Sequence, residues 1–372
     1  MEMITRGIEE KTYTLNLGPQ HPSTHGVLRV LLEMDGEFIT KADPDIGYGH
    51  RAHEHMAENR NYHQFLPNLG RLDYLHALAY NHGYCMAVEK LIGVAPPERA
   101  EFIRVITNEL NRIASHLLWF GAYLLDLGAF TPFLYCFDDR ENILDLLERV
   151  TGSRLTYCYY RFGGVPLDID DDFIAGARAF VKRLRSRWSD YDNLVTKNVI
   201  FIHRTKDVGV VTKDQCLQYG LTGPMLRGSG IPYDIRKVEP YSAYPLFDFE
   251  IPVGQNGDIF DRYMVRLAEM EQSLRIIEQA LDKLPNGPIM AEKVPKRVKP
   301  AEGEVYQAVE AARGEFGCYI VSQGDIKPYR IKLRVPCFAN LSVFPELAVD
   351  TLVADLVAIL GSIDLVIPEI DR

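Results

Sequence analysis

Hydrophobic and polar positions alternate at the start of the chain and then settle into a helical period. Thr12 to Leu17 and Val27 to Met34 carry β-branched or large apolar residues at strand spacing, and Asp35-Gly36 supplies a hairpin turn into Glu37 to Lys41. Ile46 to Gln64 predicts a short helix carrying His50, His53, His55 and His63. Arg71 to Gly93 follows, with Leu72, Leu75, Leu78, Ala79, Met86, Val88 and Leu91 on one face. Glu98 to Leu125 has Phe102, Ile106, Leu110, Ile113, Leu117 and Leu118 at the spacing of a long core helix, opened by Pro96-Pro97. Thr131 to Gly152 reads as a turn and a helix with Arg140, Glu141 and Asp145 on its polar side, and Asp170 to Asp172 cap a further helix through Trp188.

Asp258 to Leu284 is the cleanest amphipathic helix, with Ile259, Tyr263, Leu267, Met270, Leu274, Ile277 and Leu281 in one stripe and Pro285 as its stop. Pro- and Lys-rich Asn286 to Pro300 reads as a surface linker. Strands are expected at Val305 to Glu310, Cys318 to Ser322 and Tyr329 to Val335, and a helix at Leu347 to Leu360. The pattern predicts an α+β protein: a central helical bundle, a small N-terminal antiparallel sheet and a C-terminal β-rich part packing back on the bundle. The corresponding segments are residues 1–45, 46–285 and 286–372.

At 372 residues with 47% hydrophobic content, the chain can bury a sizeable core. A formal net charge of −10 and the lack of a basic tail argue against nucleic acid as a partner. The six cysteines form no CxxC pair and read as reduced, mostly buried thiols. The longest apolar stretches are interrupted by Asp126, Asp350, Asp355 and Asp364, so no transmembrane helix is expected.

Candidate chemistry concentrates in GPQHPSTHGVLR, Gly18 to Arg29, where prolines and glycines force a tight connection that presents His21 and His25. Of ten histidines only His203 lies beyond His116, which invites a metal site, yet no HExxH or HxxEH occurs. LDIDDDF, Leu167 to Phe173, lacks the glycine and glutamate of a calcium loop, and LTGPMLRGSG, Leu221 to Gly230, lacks the GKS or GKT ending of a phosphate loop. Asp126, in apolar LLDLGAF, either caps a turn or is a buried acid. The Lys182, Arg183, Arg185 and Arg187 cluster reads as a solvated face or a docking surface.

Together, GPQHPSTHGVLR, the IGY-HR segment at Ile46 to Arg51, RLDYLHALAYN, AVEKLIG, RVITNELNRIASHLLW, LLDLGAFTPF, ENILDLLERVTG, RFGGV, LTGPMLRGSG, YDIRK, GDIFDRYMVR, ARGEFG, VADLVAILGSID and the terminal DR resemble one family. It is the D subunit of the proton-pumping NADH:quinone oxidoreductase, respiratory complex I, with the fold of a nickel–iron hydrogenase large subunit. The resemblance runs from about Thr12 to Arg372. A hydrogenase holds its metal on two CxxC pairs; here the matching places are Asp73 with Leu75 to His76, and Ile363 to Arg372, without a cysteine in either. The resemblance implies that the dismantled metal site leaves a cavity for a quinone headgroup.

By motif, the resemblance assigns His25 and Tyr74 to the two quinone carbonyls and Asp126 to the acid behind the histidine. It implies no metal and no cofactor bound by this chain alone, with iron–sulfur clusters and FMN in partner subunits. Those partners are the cluster-bearing B subunit, the C subunit and the membrane subunit forming the quinone channel. The implied place is peripheral, on the cytoplasmic side of the inner membrane, with electron transport coupled to proton translocation. The chain departs from the family at Gly49-His50-Arg51-Ala52, at Glu54-His55, in a shorter stretch before Gly303, and at Leu365 and Pro368. These departures leave open a related complex fed by F420 or ferredoxin. A separate alternative is a purely structural scaffold within such a complex or a membrane-bound hydrogenase, with the cavity vestigial.

Overall fold

The computed structural model describes residues 12–21 and 26–372. β1 (Thr12–Leu17), β2 (Arg29–Asp35) and β3 (Phe38–Asp45) form an antiparallel sheet in sequential order. The alternation in β2 buries Val30, Leu32 and Met34 on one face. β3 runs past the expected Lys41 because it is the last strand of the sheet, where Pro44 forfeits no ladder bond that matters. Its free edge is closed by the far end of the chain. Asp350 N–H donates to the Ile39 carbonyl at 2.8 Å, and Ile39 N–H donates to the Thr351 carbonyl at 3.0 Å.

The helix expected over Ile46 to Gln64 is two helices, α1 (His53–Asn59) and α2 (Tyr62–Leu69). Asn61 breaks the run: its side chain accepts from Gln64 N–H at 2.9 Å while the Gln64 side chain accepts from Asn61 N–H at 3.2 Å. α3 (Ala77–Ile92) starts later than the periodicity predicts. Asp73 Oδ1 takes the N–H groups of Leu75 and His76, so Arg71 to His76 is a turn and Tyr74 sits on it.

α4 (Glu98–Asp126) is the axis of the bundle and is flanked by α5 (Phe130–Thr151), on which Arg140 is buried rather than solvated. α6 (Asp171–Tyr191) begins with Asp170 accepting from Phe173 N–H at 2.8 Å, as its acidic run predicts, and ends in a π turn over Asp192–Thr196. Its arginines face Asp138, Asp139, Glu271 and Glu278 of α5 and the later long helix, so much of that charge is already paired. Four short helices follow: α7 (Val199–Thr205), α8 (Lys213–Gln218), α9 (Pro224–Gly228) and α10 (Ile235–Val238). α11 (Ile259–Asp282) completes the bundle; besides its apolar stripe it buries Arg262, Arg266, Glu269 and Ser273.

Residues 286–300 carry no helix or long strand but lie against Gly163 to Val165, with Ala291 N–H donating to the Gly163 carbonyl at 2.8 Å. β4 (Glu302–Ala311), β5 (Gly314–Gln323) and β6 (Arg330–Arg334) form the second antiparallel sheet. It packs on α3, where Tyr80 meets Phe316 with ring centroids 4.1 Å apart. The expected helix at Leu347 to Leu360 is interrupted where Asp350 to Val353 pair with β3. The chain forms α12 (Pro336–Leu341), α13 (Phe344–Ala348), α14 (Val353–Ile363) and α15 (Ile367–Asp371) instead. No helix among the described residues is long and apolar enough to cross a membrane.

Two substitutions test this framework. Gly314, φ +132°, lies where a Cβ would sit 1.7 Å from Thr222 Oγ1. Gly314→Ala is expected to destabilise the chain by about 3 kcal/mol, read as a lowered thermal midpoint. Asp258 caps α11 by accepting from Asp261 N–H at 2.8 Å and from Asp207 N–H at 3.0 Å. Asp258→Ala is expected to cost about 1 kcal/mol in the same measurement.

Candidate functional site

The two-residue tip of the β4–β5 hairpin, Ala312-Arg313, projects into the interior. Arg313 is fully buried and its guanidinium spans the N- and C-terminal parts of the chain. Nη1 donates to Asp73 Oδ2 at 3.1 Å and to Ser115 Oγ at 3.0 Å. Nη2 donates to Asp364 Oδ1 at 3.1 Å, and Nε to the Asp364 carbonyl at 3.1 Å. Asp73 and the Ile363 to Arg372 segment are the places where the resemblance puts the hydrogenase cysteine pairs. An ion-paired guanidinium joins them, and the described residues contain no cluster suited to a metal ion.

Tyr74 stands above this cluster, half-buried against the core. Burial raises the pKa of its phenol, and Arg313 partly offsets the rise while Asp73, Asp364 and Cys337 add to it. The group is a protonated hydroxyl at neutral pH. On the next residue but one, His76 is fixed in one neutral form. Ala312 N–H donates to Nδ1 at 2.8 Å, which leaves Nε2 to donate to the Asn108 carbonyl at 3.1 Å, and burial holds its pKa well below the usual value.

The C-terminal segment closes the site from the other side. Asp371 accepts from Gly47 N–H at 2.8 Å and Gly49 N–H at 2.6 Å, and its carbonyl lies 2.6 Å from His50 Nδ1. Gly49 and His50 therefore stand directly on the C-terminal segment. Glu369 is fully buried; Oε1 accepts from Cys337 N–H at 2.8 Å and Oε2 has no partner. Burial, with Asp73 nearby, pushes its pKa up to about 8.

His25 lies outside the described residues. Gly26, at the returning end of the same loop, lies against Ile367 of α15, so the loop end meets the C-terminal segment that also carries Glu369. Asp126 is the last residue of α4 and is partly exposed. One turn earlier Tyr123 packs against Gly361 of α14, where a Cβ would come 2.8 Å from the ring, and Trp119 Nε1 donates to the Gly361 carbonyl at 2.8 Å. The loop end, Tyr74 and the end of α4 thus all address the Gly361 to Arg372 segment.

Behind the site runs a second buried ionic array. Arg227 Nε meets Glu269 at 2.7 Å and Nη1 meets Glu310 at 2.8 Å. His116 Nε2 lies 3.1 Å from Glu269, and Arg236 bridges Asp234 at 2.6 Å and Glu109 at 3.2 Å. Although burial alone would raise it, Arg227 and His116 hold the Glu269 carboxyl well below the usual range. Sequence reasoning does not single out Arg313 or Glu369. The available signal is a charged residue at a hairpin tip in ARGEFG and an acid shortly before the end of an apolar terminus.

Residues 126–302 and 293–372 match the model of the family described as respiratory-chain NADH dehydrogenase, 49 kDa subunit. The chain is 67% identical over 365 residues to the D subunit of the NADH-quinone oxidoreductase of Syntrophobacter fumaroxidans, covering 98% of each. It is 61% identical over 363 residues to that of Desulfotalea psychrophila, again covering 98% of each. Against the corresponding D subunit of Desulforamulus reducens it is 51% identical over 364 residues, covering 98% of this chain and 99% of that one. With its α+β architecture and a junction held by Asp73, Arg313 and Asp364, the chain belongs to the 49 kDa family of the respiratory NADH dehydrogenase, the D subunit of complex I.

Proposed function

We propose that the chain forms the quinone headgroup site of its complex, with Tyr74 and His25 hydrogen-bonded to the two carbonyls. Reduction of a quinone to a quinol needs two electrons and two protons. The electrons arrive from an iron–sulfur cluster in a neighbouring subunit. Tyr74 O–H donates to one carbonyl oxygen, stabilises charge as it develops there and gives up its proton. His25, as an imidazolium, does the same for the other carbonyl. Asp126, the acid that the resemblance pairs with His25, favours its charged form.

The observation that carries this reading is the setting of Tyr74. Its phenol is kept protonated by partial burial, and Arg313 beneath it is the cation that eases formation of the phenolate. A donor of that kind suits a carbonyl oxygen gaining negative charge. The names of the relatives, all D subunits of NADH-quinone oxidoreductases, support NADH as the ultimate donor and quinone as the acceptor. The same reading makes the B, C and channel-forming membrane subunits its partners, at the cytoplasmic face of the inner membrane, with quinone reduction coupled to proton translocation.

Tyr74→Phe in the intact assembly tests the proposal. Cluster reduction is expected to continue while quinol formation falls by roughly 10²-fold, the scale for a lost positioned proton donor. Unchanged quinol formation in a normally assembled complex would make Tyr74 a packing residue and favour a scaffold role.

A further inference from the structure

We infer that Glu369 is the proton store of this site: its buried carboxyl, beside Asp73 and Tyr80 with one oxygen unpartnered, carries a proton that restores Tyr74 after each donation. The inference rests on Tyr74 acting as a proton donor to the substrate.

Glu369 makes no ion pair among the described residues, and Arg313 eases its charge only in part. Arg313 is the nearby guanidinium, and its donors are committed to Asp73, Ser115 and Asp364. From the turn before α3 the group that faces Glu369 is the Asp73 carboxyl, and from α3 it is the Tyr80 hydroxyl, which lies close by without a formed hydrogen bond. From α12 it receives only the Cys337 N–H, on Oε1. The Cys337 thiol is itself held neutral by burial. A fully buried carboxylate with one N–H donor and a second carboxylate beside it is costly, and binding a proton removes the cost. The neutral acid then has an O–H on Oε2, the oxygen for which the structure provides no other partner.

The location suits a store rather than a donor to substrate. Asp73 neighbours Glu369, shares Arg313 with Asp364 and is bonded in the chain to Tyr74. When the Tyr74 O–H bond breaks and its proton forms an O–H on the substrate, a phenolate remains. The Glu369 O–H bond then breaks and its proton re-forms the Tyr74 phenol. The Glu369 carboxylate recovers a proton from water. No electron passes through these groups; both come from the neighbouring subunit's cluster. Burial and the neighbouring Asp73 hold the acid protonated above the usual carboxylate range, so the store is full below its raised pKa and empties as pH rises through it.

Glu369→Gln in the intact assembly keeps the shape and removes the proton. Cluster reduction, quinone KM and the first turnover of quinol are expected to match the wild type, because Tyr74 still holds its own proton. Steady-state kcat is expected to fall about tenfold near pH 7. The wild type is expected to lose activity as pH rises through about 8, and the variant to lack that step. Infrared difference spectra of the wild type should show a protonated carboxyl band that disappears with the same midpoint and is absent in the variant. Glu369→Asp, which restores an acid, should restore both band and pH step.

A wild-type steady-state rate and pH profile in Glu369→Gln would overturn the proposal. So would wild-type spectra without a carboxyl band titrating near that pH, a result available even where the variant does not assemble. The two readings fail separately: unimpaired turnover in Tyr74→Phe removes the quinone-donor role. A disabled Tyr74→Phe beside an unaffected Glu369→Gln removes only the store.

Discussion

The contact on which the rest of the structure depends is the guanidinium of Arg313 between Asp73 and Asp364. It joins the turn before α3, the hairpin tip of the second sheet and the end of α14, three segments far apart in sequence. Each is shaped to deliver its charge. Asp73 also builds the turn that lifts Tyr74 out of the helix, Gly314 lets the hairpin pass Thr222, and Asp364 ends α14 in the left-handed region with φ 63°. A buried triad of this kind contributes little net stability, since desolvation of three charges consumes most of the Coulombic gain. What it supplies is position: any arrangement that separates the partners leaves a bare charge in the interior.

The same reasoning applies along α4. Its length and apolar spacing suggest an ordinary core helix, but Glu109, Arg112, Ser115 and His116 make its other face an ionic one, closed by α9, α10, α11 and β4. Glu109 alone accepts from Arg112, Arg236, Ser273 and Tyr244. Such an array is satisfied only when all its elements are in place, so it acts as a check on the assembled fold more than as a source of stability.

This explains what is legible in the sequence. Local signals carry well: the turn at Asp35-Gly36, the cap at Asp170 and the stop at Pro285 depend on neighbours a few residues away. The boundaries that differ have non-local causes. The helix expected at Leu347 to Leu360 breaks because Asp350 to Val353 pair with β3, and no periodicity encodes a partner so far back along the chain. Arg140 is buried although it sits among charges, because α5 packs on both sides. For the candidate site, motif resemblance puts Tyr74 forward, whereas periodicity alone assigns it to a helix. Arg313 and Glu369 are invisible because a buried charge and a solvated one look alike in sequence.

Charge balance around the junction connects these observations. Asp73 and Asp364 are two acids. Arg313 is one cation, and Arg266 is a second: fully buried, 4.1 Å over the Trp119 ring, its pKa pushed down to about 10 by burial and raised again chiefly by Asp364. Asp73 and Asp364 both pair with Arg313, and Arg266 adds a cation within electrostatic reach of Asp364. Glu369 adds a third acid to a region whose arginines are already matched, and in a low-dielectric interior an unmatched negative charge is the most expensive component. Where a family with cysteine pairs would place a metal cation at this junction, the present chain balances its carboxyl groups with two arginines and a proton. A proton is the only one of those counter-charges that can leave and return during turnover.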